Sequence, residues 1–375
     1  MFVIYLNDNI IHHPRMFEYG YQTIEPTLDE VVNGAGTLNF TVPETNPLYD
    51  SIKNRKSYVT VENEHGFVWR GRVMSSEKNW RKELAVYCEG DLAFLNDSIQ
   101  RPFAFNGTPA QLFSMAILAH NQQVDAERQF TIGRVTVTDP NNYIVRSSEY
   151  PMTTWEFMRD KCFESSLGGY IRTRTENGVH YIDYLASFDH QNTQQVSFGQ
   201  NLIDIAQFVS AEDVITCLVP YGARLEDDDP NHEDEPSSTG RWNGNRLTIK
   251  DVNDQYPNED YIKNQTGIGL FGEVWGYNIW DDVTVASNLL TKAKAYLADQ
   301  IADKITISCS ALDLSILDYD AESIKIGDLV EIYSIPHNID IWLMCREKTT
   351  PFMTPGDSSV VFGAETKSLT DLQVR

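Results

Sequence analysis

Apolar and polar positions alternate along residues 324–362, IKIGDLVEIYSIPHNIDIWLMCREKTTPFMTPGDSSVVF, with runs at Leu329–Tyr333, Ile339–Cys345 and Ser359–Phe362 parted by Pro, Gly and Asn. Period-two alternation of strand-favouring residues, interrupted by turn formers, predicts a small antiparallel meander. The outline repeats near the start of the chain, in residues 58–95, as VTVENEHGFVWRGRVMSS followed by ELAVYCEGDLAFL. Both copies have a short strand, a turn containing a histidine (His65, His337) and a longer strand carrying a tryptophan (Trp69, Trp342). A polar segment and a further strand follow in each. The identity between them is low, so the repeat lies in the pattern, and it predicts two related β-modules at opposite ends of the chain.

The segments between differ in period. Strands are expected at Phe2–Leu6 and Thr37–Val42. In FNGTPAQLFSMAILAHNQQ, Thr108 reads as an N-cap, Pro109 as the first helical residue and Gln111 as its capping-box partner. Leu112, Met115, Ala116 and Ala119 would then share one face. A second helix start, Thr153-x-x-Glu156, opens WEFMRDKCFES, whose apolar set is Trp155, Met158, Cys162 and Phe163. Gly168-Gly169 ends it, and YIRTRTENGVHYIDYL predicts a hairpin turning at Asn177-Gly178. Strands are expected again at Phe208–Val209 and Val214–Tyr221. The most regular helix is TVASNLLTKAKAYLADQIAD, with Leu289, Ala293, Tyr296, Leu297 and Ile301 on one side and Asp281-Asp282 placed to cap it. It hands over to the strand KITISCSALDL.

The charge narrows the partners. With 54 acidic and 30 basic residues the net charge is −24, which repels nucleic acid rather than holding it. No run of about 18 apolar residues occurs, and the opening MFVIYLND has neither the length nor the basic flank of a signal peptide. The five cysteines (Cys88, Cys162, Cys217, Cys309, Cys345) are odd in number and widely spaced, unlike a disulfide framework or a zinc knuckle.

Several stretches invite a chemical reading. The tandem His12-His13 offers two imidazoles but no third ligand at a recognisable spacing. Cys162 with His180 is a thiol and a base, yet a cysteine on an apolar helix face is ordinarily core. Residues 226–235 place seven carboxylates in ten positions (EDDDPNHEDE), a composition suited to calcium, but without the twelve-residue loop pattern it reads as a solvated loop. Gly267-Ile268-Gly269-Leu270-Phe271-Gly272 matches a dinucleotide fingerprint in letters only, since no strand precedes it and no helix is expected directly after it. No nucleophile elbow, HExxH or P-loop is present. The expected site assignment is therefore no catalytic, metal or cofactor-binding residue, no cofactor, and no enzymatic activity.

Two β-modules per subunit suit a ring of three subunits, which would present six similar units to a six-fold partner. The sequence resembles, over nearly its whole length, the hub region of the tail-associated lysin or prophage endopeptidase tail family of long-tailed phages, itself similar to the baseplate hub of contractile-tailed phages. The resemblance is carried by residues 34–63, 67–97 and 105–121, continuing through TTWEFMRDKCFESSLGGYIRTR (153–174), DVITCLVPYGARL (213–225) and IKIGDLVEIYS (324–334).

The resemblance implies a mixed α+β, multidomain fold with two related antiparallel β-barrel-like domains and two peripheral α+β domains. The ring domains would be residues 1–100 and 191–222 joined with 305–375, and the peripheral ones 101–190 and 223–304. It implies a virion protein at the tail tip, assembled in the host cytoplasm, in a short form without a C-terminal lytic domain. Its partners would be two further copies of itself, a hexamer of distal tail or tail tube protein, a receptor-binding protein and the tape-measure protein. DNA would be passing cargo only, with no stable membrane association. The ring would close the tube and open for genome passage, and residues 223–245 and 263–280 would move or meet neighbouring proteins. Two alternatives stand beside it: a peptidoglycan-degrading tail enzyme, which would need a catalytic carboxylate pair or metal centre in residues 101–304, and a host-carbohydrate-binding module using Trp242, Trp275, Tyr277 and Trp280.

Overall fold

The computed structural model describes residues 1–64, 66–139, 142–165, 167–209, 214–225, 246–281, 283–302, 305–317, 321–337 and 339–363. Both predicted β-modules form, but as parts of one curled 13-stranded sheet rather than as two separate barrels. The sheet forms because Ile24–Val31, a strand of the N-terminal half, lies antiparallel to Ile339–Pro351 of the C-terminal half, with Val31 opposite Glu347 and Thr27 opposite Pro351. Smaller sheets and helices complete a mixed α+β fold.

Within each half the strand order is the same. In the N-terminal half the path runs Val3–Leu6, Tyr58–Asn63, Gly66–Lys78, Leu84–Gly90, Thr37–Val42, Ile24–Val31. In the C-terminal half it runs Val196–Ser197, Leu329–Ser334, Ile339–Pro351, Ser359–Phe362, Ile305–Ala311, Leu202–Val209. The strands also follow one another along the chain in the same order. One difference is that Val196–Ser197 is parallel to its neighbour where Val3–Leu6 is antiparallel.

Alternation along these strands puts one face of each half into its own core. Leu38, Phe40, Val59, Val61, Val73 and Cys88 are packed in the N-terminal half. Val330, Ile332, Cys345, Val360, Phe362 and Cys309 do the same in the C-terminal half. Trp69 is buried, whereas Trp342 is half exposed, because the two are not in equivalent places: Trp69 stands opposite the core residue Val61, and Trp342 one position out of step, opposite Glu331. The N-terminal curl is tight where Gly71 faces Gly90: a Cβ on Gly71 would stand 2.1 Å from the Glu89 carbonyl oxygen. His65 lies outside the described residues.

Residues 103–185 pack as one insertion. The helix Pro109–Asn121 has the expected Thr108–Gln111 capping box. Its buried face is Leu112, Phe113, Ala116, Ile117 and His120, with Met115 and Ala119 only half-buried. Thr153 and Glu156 form the second capping box, but only Thr154–Phe157 is α-helical before the chain widens into a π-helical turn over Met158–Phe163. The hairpin Tyr170–Glu176 and Val179–Leu185 turns at Asn177 and Gly178, whose φ values of 52° and 76° are those of a tight two-residue turn.

The other insertion places Cys217–Tyr221 at the centre of a three-stranded sheet, between Ile262–Lys263 and Trp275–Ile279, under the helix Ala286–Ala302. Leu289, Leu290, Ala293 and Leu297 are that helix's buried residues, while the side chain of Ile301 lies outside the described ones. Asp281 does not cap it. The helix begins at Ala286, with Val285 at the capping position and its carbonyl accepting from the Leu289 N–H. Asp281 lies four residues too early, and its carboxylate accepts instead from Arg246 Nη1 at 2.5 Å, while Asp282 lies outside the described residues.

Candidate functional site

The sites suggested by sequence disperse. His12 is buried, and its Nδ1 accepts from the Thr23 N–H at 3.1 Å, while burial, aided by His13, lowers its pKa to about 4. His13 Nδ1 instead accepts from the Arg15 N–H. Among the described residues no group of three His, Cys, Asp or Glu is arranged to hold a metal. Burial pushes the Cys162 thiol up to about 12, and His180 Nδ1 pairs with the Thr175 hydroxyl at 2.8 Å, so neither residue serves the other. The glycine triplet is not a loop: Gln265–Phe271 is a short helix capped by Asn264, and Gly272 ends it at φ 79°.

The aromatic platform is likewise not one surface. Trp280 is core against Tyr296, while Trp275 packs edge-on to Tyr261. Tyr277 is exposed. Residues 226–235 and Trp242 lie outside the described residues.

Two arrangements remain. The first is the junction of the half-sheets. A cavity of about 560 Å³ there is lined by Asp29, Glu30, Glu89 and Glu347 together with Tyr87 and Trp155. Below it, Lys348 Nζ reaches Asp313 at 2.9 Å and the Ile324 carbonyl at 2.6 Å. Burial, against the attraction of Lys348, raises the Glu30 carboxyl above its ordinary value.

The second arrangement is a buried polar chain where the insertion meets the N-terminal half. Ser98 Oγ lies 2.7 Å from His120 Nδ1, and His120 Nε2 lies 2.9 Å from the Arg128 carbonyl oxygen. That carbonyl can only accept, so Nε2 carries the proton and Nδ1 accepts from the serine hydroxyl. Thr154 Oγ1 then donates to Ser98 at 2.7 Å and accepts from Gln100 Nε2 at 2.8 Å. Burial lowers the His120 pKa, outweighing the Arg128 carbonyl and Asp97, which favour the charged form. A neutral imidazole accepting a serine proton is the hydroxyl–base element of a nucleophilic hydrolase. Here the base is oriented by a carbonyl instead of a carboxylate, and Ser98 and His120 are 2% and 0% exposed.

The same corner is braced by charge. Asp97 bonds Arg72, Arg128 and Arg55. Elsewhere in the insertion, on the hairpin, Asp183 bonds Arg172 and Arg174. Sequence reasoning passed over Ser98 and His120 because no motif joins residues 22 apart. The available signal was a histidine at the end of the helical row Leu112, Ala116, His120.

Residues 190–373 match the prophage endopeptidase tail family. Among solved structures, the tail protein from Neisseria meningitidis is similar at 12% identity and a TM-score of 0.63, covering 97% of each chain. The 43 kDa tail protein of prophage MuSo2 from Shewanella oneidensis is similar at 10% identity and 0.61, covering 96% of this chain and 97% of that one. A prophage tail protein from Listeria monocytogenes is similar at 13% and 0.58, with 93% and 90% covered. No curated protein matches the sequence.

The fold is therefore that of phage tail proteins, nearly end to end. The expectation of no enzymatic activity is corrected: the matched family is named for an endopeptidase, and the fold brings Ser98 and His120 into hydrogen-bond contact. Among the described residues no helix is long and apolar enough to cross a membrane.

Proposed function

We propose that this chain is a structural component of a phage tail tip, a hub in which three copies close into a ring of six similar units around the path of the genome. The observation that carries the reading is the repeated strand order of the two half-sheets, which gives one chain two consecutive blades of such a ring. The likeness to tail proteins from three bacterial genera supports the setting. The ring would meet a six-fold distal tail or tail tube protein, with receptor-binding and tape-measure proteins nearby. An excess of 24 negative charges would keep sliding DNA from sticking.

In this reading the ring units are residues 1–100 and the C-terminal half-sheet, and the peripheral units are 101–190 and the segment ending at 304. The pairing of Cys217–Tyr221 with Ile262–Lys263 and Trp275–Ile279 draws that last unit's start back to about residue 214. Light scattering of the purified chain tests the ring: three times the chain mass is expected, and a monomer at every concentration contradicts it.

A second reading is a peptidoglycan-degrading endopeptidase carried on the same hub, favoured by the Ser98–His120 contact and the family name. Ser98 would be the nucleophile and His120 its base, exposed when the strands Ile99–Gln100 and Met152–Thr153 part. Cell-wall zymograms decide it. Clearing by the native chain that Ser98→Ala abolishes supports it, and equal clearing by both, or none by either, contradicts it.

A further inference from the structure

The two half-sheets share a register as well as an order. Val73 and Cys345 occupy the same point: the Val73 N–H donates to Ser57 O at 2.9 Å and the Cys345 N–H to Asp328 O at 2.8 Å. Each accepts in turn from a residue just upstream, Arg55 and Gly327, and each is followed by a register shift, at Val73/Ser75 and at Cys345/Glu347. Following the pairing outward from Val73 leads through Cys88 and Leu38 to Leu28. From Cys345 it leads through Phe362 and Cys309 to Ile205. Ile205 therefore holds the place of Leu28, and a shift of register precedes both, at Ile24/Thr27 and Leu202/Asp204.

Past this point the halves differ in what covers them. In the C-terminal half the outer edge of Glu347–Pro351 is taken by Thr27–Val31, the Phe352 N–H donates to Pro26 O at 2.8 Å, and Phe352 is 6% exposed inside the N-terminal core. The equivalent edge in the N-terminal half is Ser75–Asn79, and among the described residues no strand lies on it. Trp80, in the place of Phe352, is 86% exposed. On the opposite side, the strand Leu202–Val209 pairs, among the described residues, with Ile305–Ala311 alone, and Ile203, in the place of the buried Pro26, is 62% exposed. The chain thus contains one completed joint and displays the two unmatched halves of a second.

We infer that the Leu202–Val209 edge of one copy adds to the Ser75–Asn79 edge of the next, in the register of the internal joint. Ala206 pairs with Glu77, Ile205 with Lys78, and Trp80 covers Ile203. The inference rests on the ring reading above and supplies its contact. The two edges are different surfaces, so the joint is head-to-tail and propagates until it closes. Each added strand removes two open sheet edges and buries two exposed apolar side chains. An internal joint and an external joint of one geometry make each chain two equal steps, so the ring of six units proposed above takes three chains to close.

The test is a cysteine pair in the full-length chain, Ala206→Cys with Glu77→Cys. Their counterparts in the internal joint touch, since Thr349 Oγ1 donates to Asp29 Oδ1 at 2.7 Å, and the five native cysteines are all buried. Mild oxidation is expected to give covalent dimers and trimers and nothing larger. The pair slipped by one residue, Ala206→Cys with Ser76→Cys, points to opposite faces and should cross-link at least about tenfold less. Trp80→Ala, a change at an exposed position, should weaken association about thirtyfold, the size of an aromatic hot spot. A trimeric mass without the 206–77 cross-link overturns this joint and leaves the ring standing. A monomeric mass overturns the ring and the joint together.

Discussion

Phe352 stacks on Phe2, ring centroids 4.3 Å apart and planes 12° from parallel, although the two residues belong to opposite ends of the chain. The contact joins the half-sheets by side chains as the Thr27–Val31 edge joins them by backbone. Phe352→Ala should cost about 3–5 kcal/mol, the usual loss for a buried phenylalanine, read from urea unfolding. Trp80→Ala at the equivalent but exposed position should change the stability of the dissociated chain by less than about 0.5 kcal/mol. Equal effects would contradict the asymmetry between the two joints.

Asp97 anchors the insertion to the N-terminal half. Burial opposes its charge, but the hydrogen bonds from Arg72 and Arg128 outweigh it and hold the carboxyl below its ordinary value. Arg72 is itself almost wholly buried. Asp97→Ala leaves that guanidinium without its carboxylate and should cost about 3–5 kcal/mol. A loss under about 1 kcal/mol would show that the cluster is bypassed by solvent.

Two buried groups give opposite slopes of stability in weak acid. Burial pushes Asp91 up to about 6, so the folded chain keeps a proton that the unfolded chain loses near 4. Its contribution is complete below pH 4 and is lost as pH rises through 6. His12, lowered to about 4, does the reverse: its contribution is complete above about 6.5 and is lost as pH falls toward 4. Asp91→Asn keeps an acceptor for Thr173 and removes the first slope. Between pH 4 and 7 the variant should gain about 2–3 kcal/mol on the native chain, and parallel stability curves would contradict the assignment.

Ser98→Ala tests structure independently of catalysis. It strips His120 Nδ1 and the Thr154 hydroxyl of a buried partner and should destabilise the chain by about 1–3 kcal/mol. An unchanged unfolding midpoint would mean that water enters the site.

The cysteines offer a simple check on packing. All five are buried, with burial raising every thiol. An aromatic disulfide reagent should label none of them in the native chain within minutes and all five in urea. A fast-reacting native thiol would contradict the burial.

Local signals were the legible ones. Thr108 and Thr153 announce their helices because a capping box spans only four residues, and Asn177-Gly178 announces its hairpin for a similar reason. The meanders were visible because alternation survives divergence in identity. The joint between the halves was not, because Asp29 and Thr349 are 320 residues apart and Pro26 disguises the Ile24–Val31 strand. Asp281 misled because a helix N-terminus is set by backbone geometry, and Arg246 is a stronger partner for it. The Ser98–His120 contact depends on how a helix packs on a strand turn, which no spacing encodes. The helix Gln265–Phe271 was hidden because two glycines, Gly267 and Gly269, lie inside it and glycine is a poor helix former.

In the proposed assembly two half-sheets repeat one joint around a closed ring. Electron microscopy of the purified assembly tests this most directly. End-on class averages should show six similar lobes around a central channel with three peripheral pairs of insertions. Averages with three unlike lobes and no channel, or a compact particle with no rotational order, would contradict it.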